Sequence, residues 1–173
     1  EKNPRDSNII SLIRDDCNKI CGWDRATFPG SQPVSLTRKN LVTLTRTPYV
    51  VCEKSDGERH MLLIYRGEFY IIDRQYNIYR ISLPSFPPEV LSTTSLLDGE
   101  LIVDTPPGGT ASIVRYLVYD AIMVRGVNVA QENLLVRLKT AFTDIVKVRR
   151  TPHKNDAFQI FVKDFYDVCH SAT

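Results

Sequence analysis

The sequence predicts an α+β fold of twisted, mostly antiparallel sheets with flanking helices. Two observations predict it. Between residues 49 and 122 the chain runs through short apolar segments broken by Gly, Asp, Asn and Pro, the pattern of strands joined by turns. At either end, near 8–21 and 128–147, apolar residues recur at helical spacing. With 173 residues, 43% of them hydrophobic and 24% charged, the chain is large enough for one domain with a core. A net charge of +2 gives no bulk basic field, so any contact with nucleic acid has to be local.

The first helix is expected over 8–21, capped by Ser7, with Ile9, Ile13, Cys17 and Ile20 on its apolar stripe. Phe28-Pro29-Gly30-Ser31-Gln32-Pro33-Val34-Ser35-Leu36 reads as a turn-rich connector that caps a sheet. Residues 37–46 are polar and irregular, anchored by Leu41 and Leu44. Tyr49-Val50-Val51-Cys52 and Met61-Leu62-Leu63-Ile64 then read as a hairpin turning at Asp56-Gly57. Phe69-Tyr70-Ile71-Ile72 follows across a Gly67 loop. Ile78 to Ile81 alternates, and three prolines make 83–88 a loop. Glu100 follows an Asp98-Gly99 turn, 105–110 is a surface turn, and 114–122 is a strand. Residues 128–147 make the second helix, with Arg137, Lys139 and Lys147 on its outside. Its basic end at 147–150 suits a solvated C-terminus, and is also a candidate RNA contact. A strand over 158–162 and the start of a helix at 164–170 complete the chain.

Cys17, Cys21, Cys52 and Cys169 have neither zinc nor disulfide spacing and read as reduced thiols of an intracellular protein. No apolar run reaches membrane-span length and no signal peptide opens the chain, so no membrane partner is expected. A start at Glu1 and a stop just after Phe165-Tyr166-Asp167-Val168 suggest a piece of a longer protein.

The chemistry centres on Glu53-Lys54-Ser55-Asp56-Gly57-Glu58-Arg59. The pattern Lys-x-Asp-Gly-x-Arg arises by chance in roughly one chain in a thousand of this size. Taken alone it is equally a hairpin turn with solvated charges. On the strand reading, Lys54 is held rather than loose. Lys54, Arg59, Arg74, Glu100 and Asp120 all fall at ends of predicted strands, where rigid sheets place functional groups. Singly, each is an ordinary surface charge or cap. Together, one lysine, two arginines and acids suit phosphoryl transfer. A lysine that attacks a phosphate must be neutral, against an ordinary pKa of about 10.4. Burial and the guanidinium groups of Arg59 and Arg74 are expected to lower it while gripping phosphate oxygens bidentately. A divalent cation would neutralise phosphate charge, and the product would be a covalent lysyl-nucleotide passed to a second substrate.

Lys54-Ser55-Asp56-Gly57-Glu58-Arg59, Ile72-Asp73-Arg74, Leu97-Asp98-Gly99-Glu100 and Arg115-Tyr116-Leu117-Val118-Tyr119-Asp120 together resemble the successive motifs of covalent nucleotidyltransferases. That superfamily contains the mRNA capping guanylyltransferases and the polynucleotide ligases. The stretch from Phe28 to Ser35 and Ile72-Asp73-Arg74 resemble the capping enzymes in particular, and the likeness covers roughly 24–170.

The resemblance implies a ligase-like nucleotidyltransferase fold. Lys54 would be the guanylylated nucleophile, and Asp56 and Gly57 would shape its loop. Glu53, Arg59, Arg74, Asp98, Gly99, Glu100 and Tyr119 would bind the nucleotide. Among these, Arg59 would meet the sugar-phosphate side, Arg74 the phosphates, Glu100 the ribose or a metal ion, and Tyr119 would stack on guanine. The implied reaction moves GMP from GTP to a 5′-diphosphate RNA with Mg²⁺ or Mn²⁺, in the nucleus. The phosphorylated C-terminal tail of RNA polymerase II is the implied protein partner.

The family also has an acidic-Gly strand, a Lys-x-Lys strand and an OB-fold lid, which do not follow Phe165, and Lys147 and Lys163 do not stand in for them. Residues 1–173 are therefore expected to be the N-terminal and central part of the nucleotidyltransferase domain, with little activity alone. The alternatives are an ATP-dependent ligase adenylylation domain, or a non-catalytic module that binds RNA ends or the polymerase tail.

Overall fold

The computed structural model describes residues 4–105, 108 and 112–168. In chain order the elements are α1 (Pro4–Cys21), α2 (Thr43–Arg46), β1 (Val50–Val51), β2 (Glu58–Tyr65), β3 (Glu68–Ile72), β4 (Ile78–Ile81), α3 (Pro88–Leu91), β5 (Ser95–Asp104), β6 (Ile113–Val124), β7 (Val127–Asn128), α4 (Leu134–Ala141), β8 (Gln159–Val162) and β9 (Tyr166–Asp167). A seven-stranded sheet takes the order β4-β3-β2-β5-β6-β7, with β8 joined to β6. Every pairing in it is antiparallel except β6 with β8. The expected α+β class of mostly antiparallel sheet is what forms.

The sheet is covered on both faces, and β2 shows why. Its run Met61-Leu62-Leu63-Ile64-Tyr65 is buried throughout, as a strand between two layers must be. Met61, Leu63 and Tyr65 pack with Ile13 and Cys17 of α1 and with Phe28. Leu62 and Ile64, pointing the other way, pack with Ala141 of α4 and with Ile145. Truncating a leucine such as Leu62, which is fully buried, to Ala costs about 2–5 kcal/mol in such a core. Tyr116 also lies fully inside, and its hydroxyl donates to the carbonyls of His60 at 2.9 Å and Leu97 at 3.3 Å.

Several expectations are corrected. Helix α1 begins at Pro4, so Ser7 lies within it rather than capping it. Leu41 and Leu44 are exposed and α2 buries no residue, so they anchor nothing among the described residues. The hairpin at Asp56-Gly57 does not form: β1 pairs with β9, Val50 opposite Asp167, while β2 pairs with β3 and β5. The reason is that 52–57 crosses over β5 instead of turning. A Cβ on Gly57 would collide with the Leu101 carbonyl oxygen.

Residues 98–100 make no turn. They run straight through β5, so Glu100 and Asp120 stand inside strands rather than at strand ends. Helix α4 is shorter than 128–147: Asn133 caps it by accepting from the Val136 N–H at 3.0 Å, and it continues as a π-helical turn over Phe142–Val146. Residues 166–167 are strand, not helix, while Cys169, His170 and most of the 105–110 turn lie outside the described residues.

Candidate active site

Past the end of α1, the face of the sheet that carried Met61 and Leu96 changes from apolar to charged. Arg59 follows Met61 by strand alternation, and Asp98 and Glu100 follow Leu96. There a cavity of about 560 Å³ is lined by Lys54, Arg59, Arg74, Asp98, Glu100, Tyr119 and Asp120, with Gly57 and the 31–33 loop. Its walls come from the large sheet and loops. Among the described residues neither β1 nor β9 contributes, so the cavity belongs to one sheet and its loops.

Arg59 and Asp98 form its base. The guanidinium donates to both Asp98 oxygens, from Nε at 3.0 Å and from Nη2 at 2.6 Å. Nη1 donates to the Ser31 carbonyl at 2.6 Å, and the group stacks 5.2 Å from the buried Phe28 ring. Burial alone would lower the Arg59 pKa, but the hydrogen bonds and charge of Asp98 outweigh it and hold it above its ordinary value. The fork expected to grip phosphate bidentately is therefore already filled by a carboxylate. Two N–H bonds, one on each terminal nitrogen, remain for a ligand. The 28–31 stretch is thus more than a cap over the sheet, since it fixes Arg59. Gly30 is needed for this, because a Cβ there would stand 2.6 Å from Arg59 Nη2.

Tyr119 donates to Asp98 Oδ1 at 3.0 Å. Burial and then the Asp98 charge raise its pKa, which keeps the hydroxyl a donor at neutral pH. Arg74 arrives on a turn built by Asp73, whose carboxylate accepts from the Gln75 and Asn77 backbone N–H groups at 2.9 and 2.8 Å. Burial pushes the Asp73 pKa up, but hydrogen bonds from Asn77 and Gln75 win and lower it. Tyr76 closes the turn in the left-handed region, φ 65°, with its ring seated against α1 and its hydroxyl donating to the Arg14 carbonyl and Asn18.

Lys54 departs from expectation. It sits in a loop, its side chain is 87% exposed, and its Nζ donates to Asp56 Oδ1 at 2.9 Å. That hydrogen bond and the Asp56 charge raise the lysine pKa rather than lowering it. The loop beneath it is nevertheless tied down. Gly57 N–H donates to Glu100 Oε1 at 3.1 Å, and Lys163 Nζ donates to Ser55 Oγ at 2.8 Å. Lys163 also stands 4.0 Å from Glu100 Oε2. Sequence reasoning had set Lys163 aside. Nothing local signals its role, since Ser55 is 108 positions away.

Two predicted residues do not join the cavity. Glu53 lines a neighbouring one of about 410 Å³ with Ser55, Arg115 and Lys163. Gly99 is a contact point between strands. A Cβ there would come 2.6 Å from both the Leu117 carbonyl oxygen and the Tyr116 ring. Gly99→Ala should therefore wedge β5 from β6 and destabilise the protein by about 1–3 kcal/mol, read as a lowered thermal midpoint.

Residues 2–173 match the family model described as mRNA capping enzyme, catalytic domain. The chain belongs to this capping-enzyme family. It is 36% identical over 175 residues to the mRNA-capping enzyme of Danio rerio, covering 94% of this chain and 29% of that protein. It is 37% identical over 137 residues to the mRNA-capping enzyme subunit alpha of Schizosaccharomyces pombe, covering 72% and 33% respectively. The chain thus spans a third or less of the length of these curated relatives. A solved mycobacterial DNA ligase D, complexed with ATP and MES, aligns at TM-score 0.47 and 15% identity over 67% of this chain and 39% of that one.

Among the described residues of this capping-family chain, no three His, Cys, Asp or Glu converge to hold a metal ion. Asp98 and Asp120 are each engaged by an arginine. Glu100, with one oxygen on Gly57 N–H and the other 4.0 Å from Lys163, is the carboxylate left for a cation. A magnesium-like ion is commonly held by one or two carboxylates plus substrate phosphates, which this donor set fits. No helix among the described residues is long and apolar enough to cross a membrane.

Proposed function

We propose that this chain is the N-terminal and central part of the nucleotidyltransferase domain of an mRNA guanylyltransferase, and that it carries the enzyme's nucleotide-handling face. The observation that supports this most is the gathering of Lys54, Arg59, Arg74, Glu100 and Tyr119 around one cavity in a chain of the capping-enzyme family.

The Lys54 ammonium gives up one proton to solvent, attacks the α-phosphorus of GTP as the neutral amine, and loses a second proton from its nitrogen as the phosphoramidate forms. A P–N bond forms, the P–O bond to the β-phosphate breaks, and pyrophosphate leaves. A terminal oxygen of a 5′-diphosphate RNA then attacks the same phosphorus. The P–N bond breaks as the nitrogen takes up one proton to leave as the amine, and a second proton from solvent restores the Lys54 ammonium. Arg74 and the remaining N–H bonds of Arg59 hold phosphate and sugar oxygens. Tyr119 offers its ring to guanine. Glu100 would hold Mg²⁺ or Mn²⁺, which supplies neutralisation of phosphate charge when bound. The acceptor RNA and the phosphorylated polymerase II tail are the expected partners, and the nucleus the expected compartment.

The test is covalent labelling of the whole protein with α-labelled GTP or ATP, followed by mapping of the labelled residue. Label from GTP on Lys54 is expected. Label from ATP alone would make it a ligase, and no label from either would remove the enzymatic reading. The 1–173 chain by itself should label weakly.

The labelling rate should also depend on pH in a defined direction. Because Asp56 raises the Lys54 pKa, the reactive neutral amine is scarce at pH 7 and increases about tenfold per unit of pH below that pKa. Single-turnover labelling should climb from pH 7 to 9 without a plateau, and Asp56→Asn should move the climb to lower pH. The same pairing favours the folded state below the ordinary lysine value and is lost as pH rises through the raised one.

A further inference from the structure

Of the two register shifts between β5 and β6, the β-bulge at Tyr119 gives a role to a residue expected on the outer face of a helix. Asp98 pairs with Asp120 and Gly99 with Val118, so Tyr119 has no partner on β5. Strict alternation would send residues 119 and 120 to opposite faces of the sheet. Both line the same cavity, while Val118 and Ala121 on either side point into the other core. Two consecutive side chains on one face are what a bulge produces.

The bulge is held from α4. Arg137 turns inward, 18% exposed, and donates to Asp120 from Nε at 2.6 Å and from Nη2 at 2.9 Å. Its Nη1 donates to the Glu132 carbonyl, which fixes the guanidinium on the helix side. Asp120 Oδ1 in turn accepts from Ala121 N–H at 2.7 Å, within the bulge itself. With its cation removed, Asp120 would face Asp98 and Glu100 across the same cavity.

We infer that Arg137 is a positioning residue for the nucleotide cavity: by clamping Asp120 it sets the bulge that aims Tyr119 at Asp98 and into the cavity. Arg137 itself does not line the cavity. The role rests on the guanylyltransferase reading for its consequence, but its geometry stands without it.

The test uses the whole protein labelled with 3-fluorotyrosine, the Tyr119 ¹⁹F resonance being assigned with Tyr119→Phe. Without nucleotide, Arg137→Met should shift or broaden the Tyr119 signal and leave those of Tyr65 and Tyr70 in place. Arg137→Lys should restore it in part. In labelling kinetics, Arg137→Met should raise the GTP KM about tenfold, as a misplaced contact does, with saturated kcat within about threefold of wild type. An unmoved Tyr119 resonance, or an unchanged KM beside a lowered melting temperature, would overturn the inference and leave Arg137 a structural pair. If wild type fails to label while the resonance moves as expected, the guanylyltransferase reading falls and the positioning role stands.

Discussion

Asp98→Ala is expected to destabilise the protein by about 3–5 kcal/mol, the range for breaking a buried ion pair from one side, and to abolish nucleotide binding with it. Asp98 is 4% exposed and accepts three hydrogen bonds: two from the Arg59 fork and one from Tyr119. Truncation leaves a guanidinium whose side chain is only 13% exposed with the Ser31 carbonyl as its remaining hydrogen-bond acceptor. It also frees the Tyr119 hydroxyl, so two binding groups lose their orientation at once. Asp98→Asn keeps the shape and can still accept from one nitrogen, so it should retain part of the stability. Urea unfolding of the whole protein reads the first effect, and fluorescence titration with GTP the second. A variant that loses binding without losing stability would show that the pair is not the base of the cavity.

Lys54→Arg is expected to do the opposite. Covalent label should fall by about 10⁴-fold or more, the scale on which removing a nucleophile acts, while the unfolding midpoint stays put. Lys54 is solvent-exposed and its partner Asp56 equally so. Arginine keeps the charge and the pairing but does not deprotonate in this pH range. GTP affinity should change little, because Arg59, Arg74 and Tyr119 are untouched. Retained label in this variant would place the nucleophile elsewhere.

The parts of the fold that were legible in the sequence are those with local causes. The run 61–65 and the Gly67 hairpin were readable because apolar alternation and turn residues act within a few positions. The motif residues of the cavity were legible as a set through family likeness, and most of them meet there. What escaped reading depends on distant partners. Val50 pairs with Asp167, so the apolar run before Lys54 resembled a hairpin arm without being one. Lys54 itself looked held because its neighbours are apolar, yet its loop crosses over β5 and leaves the amine in solvent. Arg137 occupied a polar position on a helical wheel, and a wheel cannot show that Asp120 waits beneath it. The bulge at Tyr119 was also hidden, since register lies in the pairing of two strands and not in either one.

The joining of β1 to β9 carries a consequence for biogenesis. In the order of synthesis the segment bearing Lys54 comes first, and the strand that fastens it and the Lys163 amine that grips Ser55 follow more than a hundred residues later. Contacts of such long range close slowly and late. A nascent chain therefore carries Lys54 on an unfastened tether, and the loop is tied down only when the last of these residues has been made.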